Sequence, residues 1–573
     1  LTGVAGALLC FPILFNGLTN WDDVRYLIEN PVFAGGPVSA FTQPFDHAWY
    51  PITQLVLFAV HAISGVAPLG FHLVQISIFI VACARMPQAL KTFEVPAPVA
   101  LAATLIWLAH PFRVESTAWA ANLKDVTSLF FVVLAFALYG EGRRGASIAA
   151  FVLALLSKSM VAPLGLLFVG LEWKHKREGA LLRSAPYWVP TAIISIVAAV
   201  LQLSQSDPWQ VAPANPSTRL WMPLWYLQRL LWPDSPRVVY AWSRFGWDDG
   251  RAWLGVAFLG VAIAAVTARW RFRAQARWMI ATFFLALVSV IGFVPMGQPV
   301  AERYTLIASI PLAIAVAGLL LHLPRPAAIA AVLALVAVES VASVRREQQW
   351  KDALSLWTAN LPLAPEDFVV HYNLAGALGG ASRFPEAHQQ LLAAYALRPT
   401  WPGLDCLLAT AQAATEKLDG QWINEVLPKI CAADPDQRWL AARQLIAGKD
   451  RRGELLLEQL SMGSHTSEAA SLLAAVALQR GDAKRAIGLA RRAKVLDAHN
   501  ELALETEAAA LLAERRLDEA LVITQSPVSN PGVRAALKGI RAAVLFAQGK
   551  VEEAEPLLEQ SKEELRAAGR PVP

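Results

Sequence analysis

From Thr305 to Val344 the chain reads TLIASIPLAIAVAGLLLHLPRPAAIAAVLALVAVESVASV, and the next six residues, Arg345 to Trp350, read RREQQW. The forty residues before the break hold one acid, Glu339, and one Arg, Arg325. They form two apolar runs, each about long enough to cross a bilayer as a helix, parted at Leu323-Pro324-Arg325-Pro326. The change at residue 345 divides the whole chain. Up to Val344 there are 23 Lys/Arg and 16 Asp/Glu in 344 residues; from Arg345 there are 27 and 29 in 229. Charge density doubles and the long apolar runs stop. Fifteen of the 20 Trp lie before the break, as expected for rings at a membrane interface. The reading is all-α: a polytopic membrane bundle over 1–344, a linker over 345–365, and a soluble helical domain over 366–573.

Working back from this stretch, apolar runs fall at 1–18, 71–86, 97–110, 125–140, 147–157, 160–172, 187–203, 252–268, 278–295, 304–321 and 326–344, predicting eleven spans. The first is read as a membrane helix rather than a signal peptide. Runs 147–157 and 160–172 are short and predict a hairpin tipped by Lys158. Stretches 50–66 and 219–232 mix aromatic and polar residues and predict interfacial helices. Four gaps are basic: Arg85 and Lys91; Arg143 and Arg144; Lys174 to Arg177; and Arg269, Arg271, Arg273 and Arg277. The positive-inside rule puts them, and the N-terminus, in the cytoplasm. Segments 20–50, 110–124, 157–159, 204–251 and 296–303 then share the outer side, which also receives the C-terminal domain. The Ala/Arg-rich composition and short loops point to a bacterial inner membrane.

In the soluble part Ala486, Ala520 and Ala554 recur at 34 residues, each after a short polar turn. That period predicts tetratricopeptide helix pairs, with small residues letting paired helices approach. Phe368 to Pro399 fits an earlier unit, whereas 401–465 is helical but degenerate. The repeats offer a groove for a protein or peptide, or serve as a spacer. The modest net charge of +5 gives no reason to expect a nucleic-acid partner. Four Cys exclude a disulfide framework. Cys10 and Cys83 fall in apolar runs, and the pairing of Cys406 with Cys431 stays open.

The outer segments carry the unusual polar residues. Trp21-Asp22-Asp23 follows the first run, then Asn30-Pro31. Next come His110-Pro111-Phe112-Arg113-Val114-Glu115, Ala118-Trp119 and Lys124-Asp125, then Ser157-Lys158, and finally Glu302-Arg303-Tyr304. Carboxylates at a membrane interface cost desolvation unless partnered or functional, although an acidic pair in a solvated loop is the plain alternative. His110 before Pro111 suits a helix cap as well as a ligand. Glu115 and Asp125 have Arg113 and Lys124 beside them as simple partners. Trp247-Asp248-Asp249 repeats the first motif in a long loop and reads as an interfacial anchor. No His, Cys or carboxylate spacing predicts a metal or cofactor.

In this order the motifs resemble the GT-C membrane glycosyltransferases that carry C-terminal tetratricopeptide repeats, among them the transmembrane-and-TPR protein O-mannosyltransferases. The resemblance implies a polyprenyl-phosphate-linked sugar as donor and a protein hydroxyl as acceptor. It implies Asp22 or Asp23 as base, and Lys158 and Arg303 on the donor phosphate. His110, Glu115, Lys124, Asp125, Glu302 and Tyr304 would line or orient the same cavity. Two other functions use the same features: a non-catalytic membrane anchor presenting repeats to an envelope complex, and a glycosyltransferase acting on lipid or polysaccharide.

Overall fold

The computed structural model describes all residues except 47, 176–177, 204–213, 241–243, 268–273, 294–296, 400, 402, 417–426, 432–438, 440–441, 444–445, 447–451, 462–465, 569 and 571–573. The basic residues Lys176, Arg177, Arg269, Arg271 and Arg273 lie outside the described residues, as does much of the degenerate stretch 401–465. The chain forms two compact units, Leu1–Ala377 and Leu378–Pro573.

The first unit is helical, and each of the eleven apolar runs is helical over most of its described residues. Five helices are long and apolar enough to cross a membrane: Pro68–Lys91, Ala120–Gly140, Ala185–Leu203, Gly250–Thr267 and Arg325–Gln349. A sixth arises if Ala97–Ala109 and Pro111–Ala118, bent by 62°, count as one broken span. The bend has a local cause. Pro111 brings no N–H to continue the ladder, and His110 caps the new start by accepting from the Phe112 N–H at 3.2 Å. The expected eleven full-length spans are therefore not met by length, because proline, Gly and polar residues shorten the others. Thr2–Phe15, Arg144–Ser157, Gln275–Val290 and Ser309–Leu320 are shorter apolar helices. At Lys158 the helix stops, the backbone extends, and a tighter turn, Ser159–Leu164, follows. The stretches read as interfacial form helices Pro51–Ser64 and Pro216–Leu231.

Aromatic stacking sets part of the core. The Phe168 ring stacks on Tyr187 at 3.8 Å and on Phe136 at 4.5 Å, tying three helices together. Described residues of three basic gaps gather at one end of the unit: Arg85 pairs with Glu141 at 2.6 Å, Arg144 with Glu172 at 2.8 Å and Lys174 with Glu94 at 2.7 Å. The outer-segment motifs gather at the other. Helix Leu123–Gly140 runs from one end to the other, about 27 Å at 1.5 Å per residue.

The boundary expected at Val344 shifts to Ala377. The supposed linker 345–365 is helical over most of its length and belongs to the first unit. Helix Arg325–Gln349 runs straight through the composition break, and Arg346, Glu347, Trp350 and Trp357 are buried. Of the charges at the break, Arg346 and Glu347 are buried and paired with Glu302 and Arg113, while Arg345 is exposed.

In the second unit three helix pairs follow the 34-residue period: Thr466–Gln479 with Ala483–Leu496, Glu501–Ala513 with Leu517–Ile523, and Pro531–Ala547 with Val551–Ala567. Ala486, Ala520 and Ala554 are fully buried. Before each second helix one residue adopts positive φ: Gly481, Arg515 and Gly549, again 34 apart. Cys406 and Cys431 form a disulfide, resolving the open pairing, while Cys10 and Cys83 are free and buried.

Candidate active site

Asp22 and Asp23 are neighbours with different fates. Asp23 is buried, and three donors occupy its oxygens: Thr19 N–H at 2.6 Å and Thr19 hydroxyl at 2.9 Å on Oδ2, and Ala121 N–H at 2.8 Å on Oδ1. It ties the first loop to the turn after Trp119. Burial still outweighs those bonds and pushes its carboxyl up to about 6. The Asp22 carboxylate is half-buried and makes no hydrogen bond among the described residues. Burial raises its pKa; the charges of Lys124 and Arg303 act against that rise, and Asp46 adds to it.

The two cations expected on phosphate are each held by an acid from a distant part of the chain. Arg303 donates its backbone N–H to Glu115 Oε2 at 2.9 Å and its guanidinium to Oε1 at 2.5 Å. Its guanidinium also lies over Trp119 at 5.3 Å and Tyr304 at 4.9 Å. Lys158 pairs with Asp125, which also accepts from Asn122 Nδ2 at 2.7 Å and Ser116 Oγ at 3.2 Å. Lys158 feels the charges of Arg303 and Glu115 as well. Four separated segments thus meet in one polar cluster: the first loop, 110–125, 158 and 302–304.

The expected local pairs do not form. Arg113 turns away to Glu347 at 2.8 Å and to the Leu108 carbonyl at 2.6 Å, leaving Glu115 to Arg303. Lys124 lies against ring faces, 4.0 Å from the Tyr26 centroid, leaving Asp125 to Lys158. Residues one or two apart on a helix point in different directions, so adjacency in sequence is a poor guide. His110 acts as a cap: Nδ1 accepts from Phe112 N–H, and Nε2 lies 3.0 Å from the Leu230 carbonyl. Glu302 does not orient Arg303. It meets Arg346 at 3.2 Å, the Tyr240 hydroxyl at 2.9 Å and the Arg237 N–H. The Tyr304 hydroxyl donates to the Gln298 carbonyl at 3.2 Å. Asp249 of the second Trp-Asp-Asp pairs with its neighbour Arg251 at 2.7 Å, a surface contact.

Sequence reasoning missed a supporting layer behind this pocket. Trp357 donates to Asn20 Oδ1 at 2.7 Å and packs edge-on against Trp21 at 5.4 Å. Trp350 stacks on Trp119 at 5.8 Å. Arg346 and Glu347 hold Glu302 and Arg113. The signal was available in the Arg345-Arg346-Glu347 and Trp350 sequence, which was assigned to a linker. Among the described residues no group of three or more His, Cys, Asp or Glu could hold a metal ion.

No protein-family model matches the chain. It is 20% identical over 427 residues to a protein O-mannosyl-transferase of Caenorhabditis elegans, F38B6.6, a stretch covering 66% of this chain. The chain spans 60% of that relative's length. Among solved structures it matches YrrB, described as a TPR protein with an unusual peptide-binding site, at 16% identity and a TM-score of 0.20, over 37% of this chain and 94% of that one. It also matches yeast Tom70 at 14% identity and a TM-score of 0.17, over 85% of this chain and 94% of that one. At such TM-scores the repeat assignment rests on the helix pairs of this chain itself.

Proposed function

We propose that the chain is a membrane glycosyltransferase of the GT-C kind that moves a sugar from a polyprenyl-phosphate carrier to a protein hydroxyl. The carrying observation is the gathering of Asp22, Lys124, Lys158 and Arg303 in one cluster, although up to 281 residues separate them in sequence. The distant similarity to an O-mannosyl-transferase points the same way. Asp22, whose carboxylate makes no hydrogen bond among the described residues, is the base: it takes the acceptor hydroxyl's proton as that oxygen bonds to the anomeric carbon. The bond from that carbon to phosphate oxygen breaks, and the lipid phosphate leaves as an anion. The cations Lys124, Lys158 and Arg303 steady that charge, and Asp23 fixes the loop that aims Asp22. No step calls for a metal or cofactor.

An apolar cavity supports a lipid carrier. Leu129, Leu164 and Ile307, four to six residues beyond Asp125, Lys158 and Arg303, line it together with Phe93 and Trp278. In this reading the eleven apolar segments lie in a bacterial inner membrane, with the N-terminus and basic gaps in the cytoplasm. The pocket and repeats face the periplasm, where the repeats present an acceptor protein. The Cys406–Cys431 disulfide supports that side, since such bonds persist in oxidising compartments. The test is the mass of envelope proteins in cells carrying Asp22→Asn or Arg303→Ala at wild-type protein level. Loss of a hexose-sized adduct supports the reading; its persistence in both variants refutes it.

A further inference from the structure

The three cations of the pocket differ in what holds them. Arg303 has Glu115 and Lys158 has Asp125. Lys124 has, among the described residues, neither a carboxylate in ion-pair range nor a hydrogen-bond acceptor. Its ammonium sits in an aromatic cage, 4.0 Å from the Tyr26 ring centroid, 5.9 Å from Tyr50 and 6.0 Å from Trp119. The cage is rigid: Tyr26 donates its hydroxyl to Asp46, its ring stacks near Tyr50 at 6.3 Å, and Trp119 is pinned between Trp21 and Trp350.

Ring faces attract an ammonium and fix its place, but they carry no charge to cancel it. A poorly hydrated charge without a counter-ion is costly, so the cage is stable with an anion beside it. Asp22 and then Asp46 are the acids whose charges act most on Lys124, both from beyond ion-pair range. Lys124 also lies in the first turn of helix Leu123–Gly140, where the helix dipole favours an anion. The other two pairs are already close to neutral.

We propose that Lys124 is the principal ligand of the donor's phosphate, with the Asp125–Lys158 and Glu115–Arg303 pairs as its flanks. This rests on the polyprenyl-phosphate reading above. It adds which cation carries the affinity, and it demotes the two cations that the sequence pattern put first.

The test measures binding to the purified full-length chain in detergent, using a short-chain polyprenyl monophosphate, the matching prenol and inorganic phosphate. Variants are Lys124→Gln, Lys124→Arg and Lys158→Gln. The wild type is expected to prefer the lipid phosphate over both prenol and inorganic phosphate. Lys124→Gln is expected to lose roughly 10- to 100-fold of that affinity, the scale of one charge-assisted hydrogen bond, with prenol binding unchanged. Lys124→Arg restores most of it, which separates a lost ligand from a damaged fold, and Lys158→Gln loses less than Lys124→Gln. If the wild type prefers lipid phosphate and Lys124→Gln does so equally, the assignment to Lys124 is overturned while the donor reading stands. If the wild type binds prenol or inorganic phosphate as well as the lipid phosphate, the donor reading falls and this proposal with it.

Discussion

Arg303 gives two donors to one acid, its backbone N–H and its guanidinium both reaching Glu115, which lies 188 residues earlier in the chain. The contact locks the start of helix Thr305–Leu320 onto the short helix Val114–Ala118, the second half of the broken span. Glu115 is fully buried and Arg303 partly so, and such a pair tolerates loss of one partner poorly, whatever it contributes when intact.

Glu115→Ala is therefore expected to destabilise the chain by about 3–5 kcal/mol, because it strands the Arg303 charge. The double variant Glu115→Ala/Arg303→Met should be more stable than Glu115→Ala alone. Thermal denaturation of the detergent-solubilised protein measures both. Equal losses would mean that the pair is hydrated rather than buried.

Asp22 and Asp23 should separate in kinetics and in pH dependence. Asp22→Asn is expected to lower turnover about 100-fold or more at unchanged donor affinity, as removal of a general base does. Asp23→Asn should act mainly on stability. The Asp23 carboxyl is raised from 3.8 to about 6, so between those values the folded state binds more protons than the unfolded state. Stability from this group is present below pH 4 and falls as pH rises through 6, by about 3 kcal/mol. Thermal melting across pH 4–7 should show this slope in the wild type and its absence in Asp23→Asn.

At Arg515 a side chain occupies left-handed backbone, φ 55°, where the neighbouring repeats place Gly481 and Gly549. Arg515→Gly should stabilise the second unit by up to about 1 kcal/mol, since glycine meets no Cβ penalty there. An unfolding midpoint that falls instead would show that the Arg515 side chain contributes more than its backbone costs.

The Cys406–Cys431 disulfide joins helix Leu404–Glu416 to the turn after helix Leu427–Ile430, where the repeat pattern fades, over a sequence separation of 25. Cys406→Ser should lower the stability of the second unit by about 3–4 kcal/mol on the loop-entropy scale. The expected readout is a lower melting transition that no longer responds to reductant.

Much of this was visible in the amino-acid pattern, for reasons that differ by feature. Apolar runs and the 34-residue Ala period report burial along a helix, which composition records directly, so helices and repeats could be read. Motif order marked the residues that meet at the pocket. What failed was partner choice among near neighbours. Arg113 and Glu115, two apart, diverge, and their true partners Glu347 and Arg303 lie about 190 to 230 residues away. The charged stretch at Arg346–Glu347 looked solvated because sequence carries no sign that both charges are paired inside. Nor can it say that Asp23 is occupied by Thr19 and Ala121 while Asp22 is not.

The central claim is that Asp22 and the cations around it form one centre for sugar transfer from a lipid phosphate. Its most direct test is incorporation of labelled hexose from a polyprenyl-phosphate hexose into a Ser/Thr-containing protein by the purified chain in proteoliposomes. The wild type should transfer label, and Asp22→Asn should transfer about 100-fold less while binding the donor equally well. Equal transfer by Asp22→Asn, or no donor-dependent label with a folded wild-type protein, would contradict it.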